Sequence, residues 1–193
     1  MNYLGHLILS GTDENILFGN FLGDHVNNKT LNEYPVSVQK GIHLHREIDL
    51  YTDSHPISRE LRALLFDKYR HRSRVILDMF YDHFLAADFI DFHNTLLSVF
   101  VDEVQDILQN LIHLMPESAK HYFMAMQKYG WLETYASVDG IRLVLNQMSK
   151  RKHMEPMGAS IEILEKYYPY FKAQTHAFIH EAIAQFVVDK IRL

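Results

Sequence analysis

The segment Val75-Ile-Leu-Asp-Met-Phe-Tyr-Asp-His-Phe-Leu85 constrains the fold more than any other part of this chain. Wound as an α-helix, it is apolar around most of its circumference, the pattern of a helix enclosed by others. It also carries Asp78 and Asp82, one turn apart on one face. A carboxylate in such surroundings is costly unless it meets a cation or another partner. The rest of the sequence supplies the enclosing shell. Glycine and proline number only 8 and 5 in 193 residues, and 48% of the residues are apolar. So few chain breakers cannot serve a sheet that turns every ten residues or so. An all-α, single-domain helical bundle of about eight to ten helices is therefore expected over residues 1–193.

Apolar spacing and capping residues place the helices. A short one is predicted over Asn2–Ser10, and a second runs from Asp13 as N-cap to about Asn27, with Leu17, Phe21 and Asp24 on one face. A third follows Pro35 and ends at Ser54-His55-Pro56, and a fourth spans Ile57–Tyr69. After the buried helix, Phe92–Leu114, Glu117–Tyr129, Val138–Ser149, Ile161–Tyr168 and Phe171–Ile191 read as helical, with a short turn at Trp131–Tyr135.

Several function classes drop out. Without cysteine there is no disulfide scaffold, thiolate metal site or thiol nucleophile. No Gly-x-Ser-x-Gly elbow, P-loop or Gly-x-Gly-x-x-Gly occurs. The longest apolar runs fall short of a membrane span, and the first Lys or Arg is Lys29, so a cytoplasmic protein is expected. A net charge of -5 argues against a nucleic-acid partner held by overall basicity.

Histidine stands out at 13 residues, eight of them before residue 94. They coincide with aspartates at helical spacing: Asp24-His25, His43-x-His45-x-x-x-Asp49-x-x-x-Asp53 and Asp78-x-x-x-Asp82-His83. Facing helices hold internal metal ions with this kind of pattern. His45, Asp49 and Asp53 would line one wall and Asp78 and Asp82 another; the plainer reading is a set of solvated charges with packed histidines. Imidazole and carboxylate donors suit manganese, magnesium, iron or zinc, the first two most where carboxylates dominate. Such an ion activates water and stabilises charge on a phosphoryl oxygen, so phosphoester hydrolysis is the expected chemistry. A second feature is basic: Arg59, Arg62, Lys68, Arg70, Arg72 and Arg74 against only Glu60 and Asp67. It reads either as a solvated face or as a docking patch for an acidic partner.

At these motifs the chain resembles the acyl carrier protein phosphodiesterase family. The strings that carry the resemblance are Met1-Asn-Tyr-Leu-Gly-His-Leu7, Gly19-Asn-Phe-Leu-Gly-Asp24, Gly41-Ile-His-Leu-His-Arg-Glu-Ile-Asp49 with Thr52-Asp53, and Leu77-Asp-Met-Phe-Tyr-Asp-His-Phe-Leu85. Weaker similarity continues through Trp131-Leu132 and Val144–Met148. The resemblance implies a helical fold distantly related to HD phosphohydrolases. It also implies a manganese-dependent removal of 4′-phosphopantetheine from holo acyl carrier protein, a small and strongly acidic partner; magnesium or iron would be the alternative ions. On this reading Asp24, His45, Asp49, Asp78 and Asp82 are the metal ligands. Asp24, His83 and His43 are the catalytic candidates, with His83 as first choice of general acid. His6, Arg46 and Asp53 orient ligands or contact substrate, and Arg59, Arg62, Arg70, Arg72 and Arg74 dock the carrier protein. Two other readings stay open: a phosphohydrolase acting on a nucleotide or other small phosphoester, and a helical module that binds the carrier protein without hydrolysing it.

Overall fold

The chain enters the core at once, because α1 (Tyr3–Ile8) is buried at every position. The structure, a computed structural model, describes residues 1–151 and 156–187. In α2 (Glu14–Phe21) the Asp13 side chain caps the first turn by accepting from the N–H groups of Asn15 and Ile16. The helix packs along α3 (Val36–Ser54). Next comes α4 (Pro56–Tyr69), with proline in the first turn, where its missing N–H costs nothing. The apolar segment forms α5 (Ser73–Ala87), whose last dozen residues are almost all buried. It contacts α1 and α4, and later in the chain α9 (Val138–Arg151) and α11 (Tyr168–Phe186). Between them lie α6 (Leu97–Asn110), α7 (Glu117–Tyr129) and α8 (Trp131–Thr134), and α10 (Ile161–Lys166) precedes α11. Tyr81 on α5 stacks on Phe178 of α11 at 4.5 Å and bonds its hydroxyl to Ser58 of α4, tying three helices together.

The described residues thus form an all-α architecture without strands, with eleven α-helices, three of them six residues or shorter. No helix among them is long and apolar enough to cross a membrane.

Three segments depart from the sequence reading, each for a local reason. The second helix ends at Phe21 instead of near Asn27. Gly23 N–H closes a tighter turn onto the Asn20 carbonyl, which also accepts from His45, so Asp24 sits in a turn beyond the helix. Phe92–Leu114 breaks at His93–Thr95, where side chain and backbone bond to one another, and helix resumes only at Leu97. The last predicted helices divide at Tyr167 because Pro169 favours a helix first turn; the predicted extension to Ile191 lies outside the described residues.

Candidate functional site

A cavity of about 230 Å³ opens where α1, the turn after α2, α3 and α5 meet, and His6, Asp24, His45, Asp49 and Asp78 all line it. Very close backbone packing makes this convergence possible. A Cβ on Gly19 would overlap the Val38 carbonyl, and one on Gly41 would overlap the Ile16 carbonyl, so α2 and α3 touch where neither has a side chain. A Cβ on Gly23 would run into the His45 ring.

His45 Nδ1 donates to the Asn20 carbonyl at 2.8 Å, leaving Nε2 3.4 Å from both Asp24 Oδ1 and Asp49 Oδ2. His6 Nδ1 lies 3.1 Å from Asn20 Oδ1. The Asn20 amide nitrogen is committed as donor to the His6 carbonyl at 2.8 Å and to Ser10 Oγ at 2.9 Å. Asn20 therefore presents only oxygen to the ring, and His6 Nδ1 carries the proton. His6 Nε2 then faces two acceptors, Asp49 Oδ1 and the Met1 carbonyl, each at 3.1 Å. The two imidazoles stack with centroids 3.9 Å apart and planes at 12°.

Two imidazole lone pairs and two carboxylates thus converge with no proton donor among them. Protonating His6 does not resolve this at neutral pH, because burial lowers its pKa to about 4 even though Asp49 favours the charged form. The Asp24 carboxyl is held at about 2, first by the neighbouring His45 ring. At Asp49 burial pushes upward, but the neighbouring His6 ring, the amino terminus and His45 outweigh it and the net shift is downward. One ligand atom each from His6, His45 and Asp49 lies within 4.8 Å of the others. Divalent cations are bound by such nitrogen and oxygen donors, so the residues present fit the ion that the resemblance implies. His6, given an orienting role from sequence, stands in the innermost set.

Asp78 lines the same cavity but sits 3.1 Å from the Met1 ammonium group. Burial raises its pKa, although that ammonium group pulls the other way. Asp82, expected among the ligands, is turned away and fully enclosed. Its Oδ2 accepts from Leu4 N–H at 2.8 Å and its Oδ1 from Gly5 N–H at 3.2 Å. The α1 helix has no side-chain cap of its own, and Asp82 takes that place. Burial pushes the Asp82 carboxyl up to about 7, against the pull of the amino terminus and the two N–H groups.

Other expected site residues lie elsewhere. His83 is one residue past Asp82 and so points around α5, where it bonds the Tyr135 carbonyl at 2.9 Å and the Tyr168 hydroxyl at 2.9 Å. It does not line the cavity, and a general-acid role there does not fit. His43, two residues from His45 and thus on another face of α3, is exposed and also absent from the lining. Arg46 reaches away to the Asn28 side chain and the Val26 carbonyl. Asp53 is spent on two arginines: Arg62 at 3.0 Å and Arg74 at 2.9 Å. Arg59, Arg62, Arg70 and Arg74 line an open groove of about 940 Å³ on α4 and the start of α5, Arg72 lying outside its lining. Arg62 is only 16% exposed, so it serves Asp53 more than the surface.

Sequence reasoning missed Asn20. It is fully buried beside Phe18 and Phe21, and an amide in an apolar helix is itself a signal that something buried needs orienting.

The fold and site together define a helical protein with an internal histidine–carboxylate centre. The family model described as acyl carrier protein phosphodiesterase matches residues 1–182, and the chain belongs to that family. Among curated proteins it is similar to acyl carrier protein phosphodiesterases from Yersinia pestis, 34% identical over 87% of this chain and 88% of the relative. It is likewise similar to those from Serratia proteamaculans, 32% identical over 96% and 97%, and Pectobacterium atrosepticum, 30% identical over 89% and 90%. No solved structure matches the chain.

Proposed function

We propose that this protein hydrolyses the phosphodiester that joins 4′-phosphopantetheine to holo acyl carrier protein, and that it does so with a divalent cation, manganese before magnesium or iron. The observation that carries the reading is the donor-free meeting of His6, His45, Asp24 and Asp49, which family membership sets in a phosphodiesterase context. When bound, the ion would supply acidity to water and neutralise charge on the phosphoryl oxygens. The chain's residues do the rest. Asn20 keeps both Nε2 atoms unprotonated, Asp24 and Asp49 offset the ion's charge, and Asp82 holds α1, and with it His6, at the cavity wall. In the reaction water oxygen bonds to phosphorus, the bond from phosphorus to the carrier's serine oxygen breaks, and that oxygen takes a proton. The arginine groove, whose Arg74 precedes Val75 of the cavity lining along α5, receives the acidic carrier protein.

Two measurements test this. Release of phosphopantetheine is followed with holo carrier protein and with a small phosphodiester in parallel, and thermal unfolding is followed after chelation with and without added manganese. An ion present at 100 times its dissociation constant stabilises by about 2.7 kcal/mol, which for a chain of this size raises the melting temperature by roughly 5–10 °C. Unchanged melting and turnover after chelation and metal addition would refute the cation; turnover of the small ester alone would refute the carrier-protein substrate.

A further inference from the structure

We propose that a second cleft, continuous with the cavity just described, is the channel for the pantetheine arm of the substrate. The inference rests on the proposed reaction and adds to it a binding site for the part of the substrate that does not react.

A cleft of about 480 Å³ shares Asn2, Tyr3, Asp24 and Met148 with the histidine–carboxylate cavity and runs on between α7, α8 and α9. One wall is aromatic: Tyr3 stacks on Tyr122 at 4.3 Å, and Tyr122 meets the edge of Trp131 at 5.1 Å. Polar groups interrupt it. The Tyr135 hydroxyl accepts from the Asn2 amide at 3.2 Å, and the half-buried Gln147 offers a second primary amide. Among the described residues the lining holds no Lys or Arg, and its one carboxylate is Asp24, at the shared edge.

Size and charge assign the occupant. The histidine–carboxylate cavity, at about 230 Å³, is smaller than the roughly 300–1,000 Å³ of sites that enclose drug-sized ligands; the second cleft falls inside that range. A phosphate and its ion fit the first, while an extended arm needs the second. The pantetheine arm carries one free alcohol, two amides and a thiol and is uncharged at neutral pH. It gains little from the arginine groove. Apolar links between amides match an aromatic wall broken by single amide and hydroxyl groups, which give orientation without charge. The three hollows then divide the substrate: carrier protein at the arginines, phosphate at the histidines, arm in the aromatic cleft.

Trp131 is the only tryptophan of the chain, so its emission reports on the cleft directly. Titration with pantetheine itself, which lacks the phosphate and the protein, is expected to change Trp131 emission saturably. Gln147→Phe, which fills the cleft from a half-buried position, is expected to weaken that titration and raise the KM for holo carrier protein on the order of tenfold, as loss of one good contact does. Hydrolysis of a small armless phosphodiester should be unaffected. If carrier protein is cleaved but pantetheine leaves the emission unchanged and Gln147→Phe keeps the wild-type KM, the channel is refuted while the reaction stands. If pantetheine binds saturably and no carrier protein is cleaved, the channel stands and the proposed reaction falls.

Discussion

Replacing Asn20 by alanine separates the orientation of the two histidines from the stability of the fold. The substitution removes three hydrogen bonds: Oδ1 to His6 Nδ1, and Nδ2 to the His6 carbonyl and to Ser10 Oγ. The His6 carbonyl and the serine hydroxyl still have each other, at 2.9 Å, so the one group left without a partner is the buried N–H of His6. An orphaned buried donor costs about 1–3 kcal/mol, and a value near 2 kcal/mol lowers the melting temperature by roughly 4–8 °C in a chain of this length. Stability on the order of 10 kcal/mol or more keeps such a variant folded at 25 °C. The effect on the site should be larger. Without Oδ1 the His6 ring is free to place its proton on Nε2, toward Asp49, and the lone pair is lost to the ion. Loss of a residue that orients a metal-bound histidine typically costs 10–100-fold in metal affinity or activity. Manganese affinity by calorimetry and phosphopantetheine release by mass spectrometry, both well below the melting temperature, check this. A variant melting several degrees lower with turnover within twofold of wild type would show that Asn20 serves the core and not the centre.

Charge reversal of Arg59 and Arg70, both exposed in the groove and neither tied to Asp53, is expected to raise the KM for holo carrier protein at low ionic strength and to lose that effect at high salt. Equal losses on a small phosphodiester would show that the groove supports the fold. Just past the end of α5, Asp88 pairs with Lys172 and His176, each at 2.8 Å. Burial raises its pKa, but these partners outweigh burial and hold the carboxyl below its ordinary 3.8. A depressed carboxyl stabilises the fold above its unfolded pKa and loses that contribution as pH falls through the folded value. Asp88→Asn should therefore lose stability at pH 7, by no more than about 1 kcal/mol because Lys172 is well exposed and the pair is screened. The difference from wild type should shrink in urea melts as the pH falls below 3.8 and through the folded value; a difference that does not shrink at all would assign it to packing.

Much of this was legible in the sequence because it depends on spacing within one helix. The burial of α5 follows from its apolar circumference, and His45 and Asp49 share a face because they are four residues apart. The failures arise where a partner comes from another element. Asp82 shows the buried carboxylate's need for a partner that its surroundings demand, but nothing in Val75–Leu85 reveals that two peptide N–H groups of α1 meet it before any cation does. His83 looks equivalent to His6 as a letter next to a catalytic pattern, yet one residue past Asp82 turns it into the packing between Tyr135 and Tyr168. Asn20 shows at most half of its role in the sequence, since the other half is played by its main-chain carbonyl, an atom every residue has.

That carbonyl also explains why the centre depends on backbone packing. An α-helix continued past Phe21 would direct Asp24 N–H onto the Asn20 oxygen and leave less of it for His45. The chain instead turns early at Gly23, and the same turn swings Asp24 toward the His45 Nε2. The residue that ends the helix, the residue that orients the imidazole and the carboxylate that faces it thus lie within five positions of one another, and their arrangement holds only while Gly19 and Gly41 let α3 lie against this turn. A methyl group at either glycine would move His45 along with the whole of α3, so the donor set is sensitive to the fit of two helices as well as to the residues that form it.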